Sequence, residues 1–324
     1  MRKKLFFATV VAMALVSCNE RSADVLPADG MVELEVNVPV LKTRLTGTPA
    51  SEAAVTNLQV FVFDKTSGTI EAYGNQNAET LKLKCLPGDK SIVAMVNAPS
   101  YSGASTLEGL QKEISSLSEN AAGKLVMCSD VVSKTLTASD KTLEIDVSRI
   151  AAKVNLVSVT NNMALEVNQK KEFVVTAVYL INVAGEWSYF GDHNPDVWYN
   201  KMKYESSNSQ SFLYDAPKAK IEYGKAYSTA HHFYCYPNHT ETDASEGQWS
   251  ARKTRLVVEA TLGGETCYYP VTLAGVDRNT EYSVSLTVTR PGSSSPDIPV
   301  TTEEATFTVK VKDWIDGIDY TETI

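Results

Sequence analysis

The chain has 324 residues, 43% of them hydrophobic and 21% charged, with a formal net charge of −9. That balance excludes a disordered chain or a coiled coil, and the length suits two domains rather than one small one. The acidic surplus and the lack of any Lys/Arg-rich run argue against nucleic acid as a partner.

Residues 1–17 read as an export signal. Arg2, Lys3 and Lys4 make a positive start, and Leu5 to Leu15 make an apolar run too short to span a bilayer as a mature helix. Leu15-Val16-Ser17-Cys18 then resembles a bacterial lipobox, in which Cys18 is acylated (a palmitate-type anchor) and becomes the new N-terminus. A plain secretory signal that happens to contain a cysteine is the alternative. A diacyl chain plus N-acylation is enough to hold a protein on a membrane.

In MVELEVNVPVLKTR, Val32, Leu34, Val36, Val38 and Val40 share one face of an extended strand, and Glu33, Glu35, Asn37 and Pro39 the other. Pro39 predicts an edge strand. Removing such a strand would leave an apolar groove with unpaired backbone groups that a replacement strand must fill. Lys42-Thr43-Arg44 follows, then the Gly/Thr/Pro-rich Leu45–Pro49, where a trypsin-like protease could reach the Arg44–Leu45 bond. A solvated turn residue is the bland reading of Arg44.

Strand signals dominate the first half. Residues 58–63 precede a turn at 64–68, Leu81, Leu83 and Cys85 alternate with Lys82 and Lys84, and 91–98 reads as a strand buried on both faces. Leu107, Leu110, Ile114 and Leu117 predict one short helix, with Ser105 and Glu108 as its capping box. In the second half, 149–159 and 173–184 read as strands, 185–228 as extended loops, and 254–273 as a hairpin turned at Gly263-Gly264. After a strand at 280–290, Pro291–Pro296 reads as a linker to a last strand. There Phe307, Val309 and Val311 alternate with polar residues, and Trp314 and Ile315 lie beyond the clean alternation.

The sequence is all-β: two β-sandwich domains, with one short helix in the first. The boundaries expected are 18–44 for the lipidated pro-segment, 45–149 and 150–304 for the sandwiches, and 305–324 for a terminal strand. Four further cysteines, Cys85, Cys128, Cys235 and Cys267, could pair in an exported protein, with three connectivities open. Cys85 with Cys128 and Cys235 with Cys267 would respect the domain split; buried reduced thiols are the alternative. His231, His232, Cys235 and His239 invite a zinc reading, but strand alternation does not converge enough ligands, and no metal is expected. No GxSxG, Walker or GxGxxG pattern is present, so no catalytic residue, enzyme activity or cofactor is expected.

Taken in order, the Cys18 lipobox, the early strand ending at Arg44, VTNLQVFVFDKTSG at 55–68, RIAAKVNLVSV at 149–159, FYCYPN at 233–238, RNTEYSVSLTVTRPGSSSPDIP at 278–299 and VKVKDWIDG at 309–317 resemble a fimbrillin, a subunit of the type V pili of Bacteroidales. The resemblance implies transthyretin-like sandwiches and a lipoprotein precursor carried to the outer membrane. It implies an Arg-specific protease cutting after the first strand, with Arg44 as the positional match and Lys42 and Arg21 as other basic sites in reach. The vacated groove would then accept the C-terminal strand of a neighbouring copy or a related pilin, with Phe307, Val309, Val311, Trp314 and Ile315 as the filling side chains. A head-to-tail contact of that kind grows a fibre. Because both the strand to be cut and the strand to be donated are present, a shaft subunit fits best. The rival is a monomeric or tip-located adhesin that binds a ligand through loops 185–245.

Overall fold

The computed structural model describes residues 30–39, 50–201, 210–241, 249–313 and 320–323. Cys18, Val40, Arg44, Trp314 and Ile315 lie outside them.

The first sandwich is built from β1 (Val32–Asn37), β2 (Leu58–Asp64), β3 (Ile70–Gln76), β4 (Thr80–Cys85), β5 (Gly88–Val96), β6 (Ile114–Ser116), β7 (Met127–Cys128), β8 (Val132–Leu136), β9 (Thr142–Glu144) and β10 (Ser148–Arg149). A three-stranded sheet, β4-β1-β9, faces a larger sheet ordered β10-β7-β5-β2-β3, with β8 also on β5. Alternation sorts the side chains of the central strands. Leu58, Val60, Val62, Ile92, Ala94 and Val96 point at the small sheet, whereas Phe61, Phe63, Val93 and Met95 join the second core. The prediction of a strand buried on both faces at 91–98 is met by β5.

The second sandwich holds β11 (Ala152–Asn161), β12 (Phe173–Ile181), β13 (Val183–Ala184), β14 (Glu186–Ser188), β15 (Trp198–Tyr199), β16 (Tyr214–Asp215), β17 (Ala219–Lys220), β18 (Ala226–Tyr227), β19 (His231–Cys235), β20 (Arg255–Leu262), β21 (Glu265–Thr272), β22 (Thr280–Val288), β23 (Ala305–Asp313) and β24 (Tyr320–Thr323). One sheet runs β18-β11-β22-β23-β24 with β19 also on β11; the other runs β16-β12-β20-β21 with β17 on β12. The β20–β21 hairpin turns on Gly263 and Gly264, whose φ values of 61° and 92° need residues without a Cβ.

Several local expectations change. The helix is α1 (Leu107–Gln111), capped by Thr106, whose Oγ1 accepts from the Gly109 amide at 3.0 Å; Ser105 is not the cap. Ile114 and Leu117 leave it, because residues 114–116 pair as β6 with β14 of the second half, a tertiary contact that overrides helical spacing. A second helix, α2 (Glu166–Gln169), lies in the second half, where none was predicted. The strand at 173–184 breaks at Asn182, which adopts φ 55°. Pro291–Pro296 is no free spacer: Ser293 exchanges two backbone hydrogen bonds with Tyr268, both 2.9 Å.

The sandwiches interlock. Besides β6–β14, the Tyr236 hydroxyl donates to Ser115 Oγ at 2.6 Å and accepts from Asn120 Nδ2 at 2.9 Å. A single apolar cluster runs from Phe61 and Met95 through Leu110 and Leu117 to Tyr236, Val258 and Phe307.

Candidate functional site

Strand β1 is not an edge. It lies antiparallel to β4, with Val32 opposite Cys85 and Val36 opposite Leu81, and parallel to β9, with Val36 opposite Leu143. The predicted edge position failed because Pro39 sits past the last ladder residue, where its missing N–H breaks no pairing. The backbone contacts continue on both flanks: Glu35 N–H donates to Lys141 O (2.8 Å), Val38 N–H to Glu79 O (3.1 Å), and Ile145 N–H to Asn37 O (3.0 Å).

The inward face is fully sequestered. Val32, Leu34, Val36 and Val38 are at most 2% exposed, packed on the inner face of the larger sheet and on Leu81, Leu83 and Leu143. At about 1.5–3 kcal/mol per buried side chain, these four contribute a gross ~6–12 kcal/mol. Without β1 the sandwich would hold an apolar slot with two open strand edges, one from β4 and one from β9. That slot suits an extended chain that turns apolar side chains inward.

The outward face carries charge. Glu33 lies 2.6 Å from Lys84, and Glu35 lies 3.2 Å from Lys82. Lys84, through a hydrogen bond, holds the Glu33 carboxyl below its ordinary value, with Lys141 and Lys82 adding to the effect. Glu33, Glu35 and these three lysines border a surface hollow of about 520 Å³.

Beyond the pro-segment the chain is pinned. In the 3-10 turn Ala50–Ala53, Glu52 is 2% exposed; its carboxylate lies 2.7 Å from Lys153 Nζ and accepts from the Tyr234 hydroxyl at 3.1 Å. Arg149 donates twice to the Glu52 carbonyl, at 3.0 and 3.1 Å. Burial first, then the Glu52 carboxylate, pushes the Tyr234 hydroxyl pKa up. The anchor therefore spans both sandwiches.

The strand proposed from sequence for donation is seated at home. β23 pairs with β22 over nine residues, from Ala305 opposite Val288 to Asp313 opposite Thr280. Phe307 and Val309 are 5% and 4% exposed in the second core, with Val311 half-buried against it. Beyond them, among the described residues, β24 pairs with β23 at four positions.

The cysteines stand as four free, buried thiols rather than disulfides. Cys85 is on β4 of the small sheet and Cys128 on β7 of the large one, in different apolar clusters. Cys235 and Cys267 lie on opposite sheets of the second sandwich. Burial pushes the Cys128 and Cys235 thiols up to about 12. His231 is bonded to Asp215 (2.8 Å) and Tyr227 (2.8 Å) while Cys235 faces the core, so the stretch does not gather metal ligands. Among the described residues no group of three or more His, Cys, Asp or Glu could hold an ion. In the 185–245 region, Trp187, Asp192, His193, Trp198 and His239 border a hollow of about 380 Å³.

Residues 33–176, from β1 into β12, match the family model described as major fimbrial subunit protein (FimA). This match supports the resemblance to the fimbrillins that the sequence carries. It is 21% identical to the major fimbrium subunit FimA type-2 of Porphyromonas gingivalis, over 93% of this chain and 94% of that protein. Its fold is that of a Parabacteroides distasonis protein assigned to cell adhesion, at TM-score 0.67 and 20% identity over 90% and 99% of the two chains. A P. gingivalis fimbrilin superposes at TM-score 0.62 and 15% identity, over 88% and 98%. These likenesses carry the all-β, two-sandwich architecture; among the described residues no helix is long and apolar enough to cross a membrane.

Sequence reasoning found β1 and its buried face but missed its second partner, β9, and the anchor at Glu52. The parallel β1–β9 pairing joins residues more than a hundred apart and leaves no local signal. The outer ion pairs did have one: Glu33 and Glu35 match Lys82 and Lys84 in sign and spacing.

Proposed function

We propose that this chain is a shaft subunit of a cell-surface fimbria and that it polymerises by strand exchange, supporting adhesion. The observation that carries the reading is β1: a central strand with four buried apolar residues, joined to the rest of the fold by a short segment that contains Arg44. In this reading the exported precursor is anchored through Cys18. An Arg-specific protease cuts the Arg44–Leu45 bond, β1 departs with the lipid, and a strand from the next copy takes the slot. The Glu52 anchor holds the new N-terminal segment against both sandwiches.

The cost of withdrawal favours the far end of 305–324 as the donated segment. Withdrawing β23 would expose Phe307 and Val309, about 3–6 kcal/mol together, and break nine residue pairs. Among the described residues, withdrawing the chain beyond Asp313 breaks the four pairs of β24. In this reading residues 314–324, including Trp314 and Ile315, are the part that leaves, while Phe307, Val309 and Val311 stay in their own sandwich.

Digestion of the full precursor with an Arg-specific protease tests this. The expected result is a new N-terminus at Leu45 followed by high-mass ladders, lost when residues 314–324 are deleted. A stable cleaved monomer, or ladders that survive the deletion, overturns it. The Trp187–Trp198 hollow favours a second reading, a ligand-binding adhesin; glycan or peptide binding mapped to that hollow without any polymer would select it.

A further inference from the structure

Losing β1 does more than open an apolar slot. Lys82, Lys84 and Lys141 are all exposed on the outer rim, and the carboxylates they face, Glu33 and Glu35, belong to the strand that departs. Three like charges would then remain at the outer mouth of the vacated slot, Lys82 and Lys84 on its β4 edge and Lys141 beside its β9 edge, against the single carboxylate of Glu144 on β9. An occupant that brings no carboxylate leaves them repelling one another, and one that brings cations adds to the repulsion.

The two stretches of the C-terminal region differ sharply in this respect. Residues 305–312 contain Lys310 and Lys312 and no acid, and both lysines fall on the face opposite Phe307 and Val309. Laid into the slot with its apolar face inward, that stretch would turn lysines toward lysines. At home Lys312 has its own partner, Glu281, at 3.4 Å. Residues 313–324 contain Asp313, Asp316, Asp319 and Glu322 and no Lys, Arg or His. Strict alternation would put Asp313 and Asp319 on one face and Asp316 and Glu322 on the other, turning one pair inward; a bulge at Gly317 would instead turn Ile315, Ile318 and Tyr320 into the slot together and set Asp316 and Asp319 on the rim.

We propose that Lys82, Lys84 and Lys141 act as a charge selector on the rim of the vacated slot, admitting the acidic segment 313–324 of a second copy of this chain and rejecting strands with basic outward faces. The proposal rests on the strand-exchange reading above. It assigns these lysines a role in choosing and capturing the incoming strand, because complementary charge raises encounter rates and penalises wrong partners more than it adds to final affinity.

The test exploits the fact that Glu33 and Glu35 are discarded on cleavage. A precursor carrying Glu33→Lys, Glu35→Lys, Lys82→Glu, Lys84→Glu and Lys141→Glu keeps its cross-strand pairs with reversed polarity, so it folds with an intact ladder. After cutting with an Arg-specific protease, its slot is rimmed by carboxylates. Assembly followed by light scattering at low salt should slow by about tenfold or more relative to wild type. Adding Asp316→Lys, Asp319→Lys and Glu322→Lys to the same chain should restore the rate. Wild-type speed in the rim-reversed protein overturns the selector, as does failure of the reversed tail to rescue it. If the wild-type protein itself does not assemble after cleavage, strand exchange fails first and the selector falls with it.

Discussion

The Glu52 carboxylate lies 2.7 Å from the Lys153 ammonium, joining the turn after the pro-segment to the first strand of the second sandwich. Both side chains are at most 10% exposed, and Tyr234 and Arg149 complete the cluster. A buried pair of this kind adds little over an apolar replacement, but breaking it strands a charge.

Glu52→Gln should therefore destabilise the protein by about 3–5 kcal/mol. Lys153→Met should do the same singly, and the double variant should lose less than the sum. Chemical unfolding of the four proteins gives the coupling; additive losses would show that the pair does not act as a unit.

Substitutions in the slot should separate the precursor from the cleaved form. Leu34→Ala should lower precursor stability by about 2–5 kcal/mol and leave the assembled, cleaved polymer unaffected, since residue 34 is gone. Leu83→Ala, on the wall of the slot, should weaken both. Unfolding midpoints of precursor and polymer read the difference.

The thiols should behave as buried hydrophobes. With burial raising Cys128 and Cys235 to about 12, their thiolate fraction at pH 8 is on the order of 10⁻⁴. A thiol reagent should leave Cys85, Cys128, Cys235 and Cys267 untouched in the native protein and label all four after unfolding without reductant. Fewer than four labels would reveal a disulfide.

Glu33 should titrate below 4.5, its ordinary value, mainly because of Lys84. With a depressed carboxyl, the cross-strand pair is present above the ordinary value and is lost as pH falls through the lowered one. Carboxyl NMR of the precursor measures it, and Lys84→Met should move the titration back toward 4.5.

Gly292→Ala should loosen the 291–296 segment. A Cβ there would clash with the Tyr268 carbonyl oxygen, which is rigid strand backbone. The expected loss is about 1–3 kcal/mol, seen also as faster amide exchange at Ser293.

What was legible in the sequence follows from what is local. Alternation in 32–38 and in 305–311 announces half-buried strands, and the Gly263-Gly264 pair announces its hairpin, because each is decided by neighbouring residues. The pairing of β1 with β9, of β6 with β14, and of Ser293 with Tyr268 is decided by segments far apart, and a period of two is silent about partners. Helical spacing at Ile114 lost to a partner strand about seventy residues away. The seating of β23 escaped notice for the same reason. Its apolar face matches a foreign slot and its own core equally well, and only the fold assigns it to the latter.

Twelve residues separate the end of β1 from the Glu52 turn. A tether that short keeps the strand at an effective concentration on the order of millimolar beside its slot, so no free strand in solution can compete while the link is intact. Hydrolysis of one bond in that tether leaves every contact of β1 in place and abolishes only this advantage. From then on, occupancy depends on how crowded the surroundings are with other strands. If the precursor is processed as proposed, the cut would act as a change of reaction order: a first-order reclosure would become a contest whose outcome is set by local density.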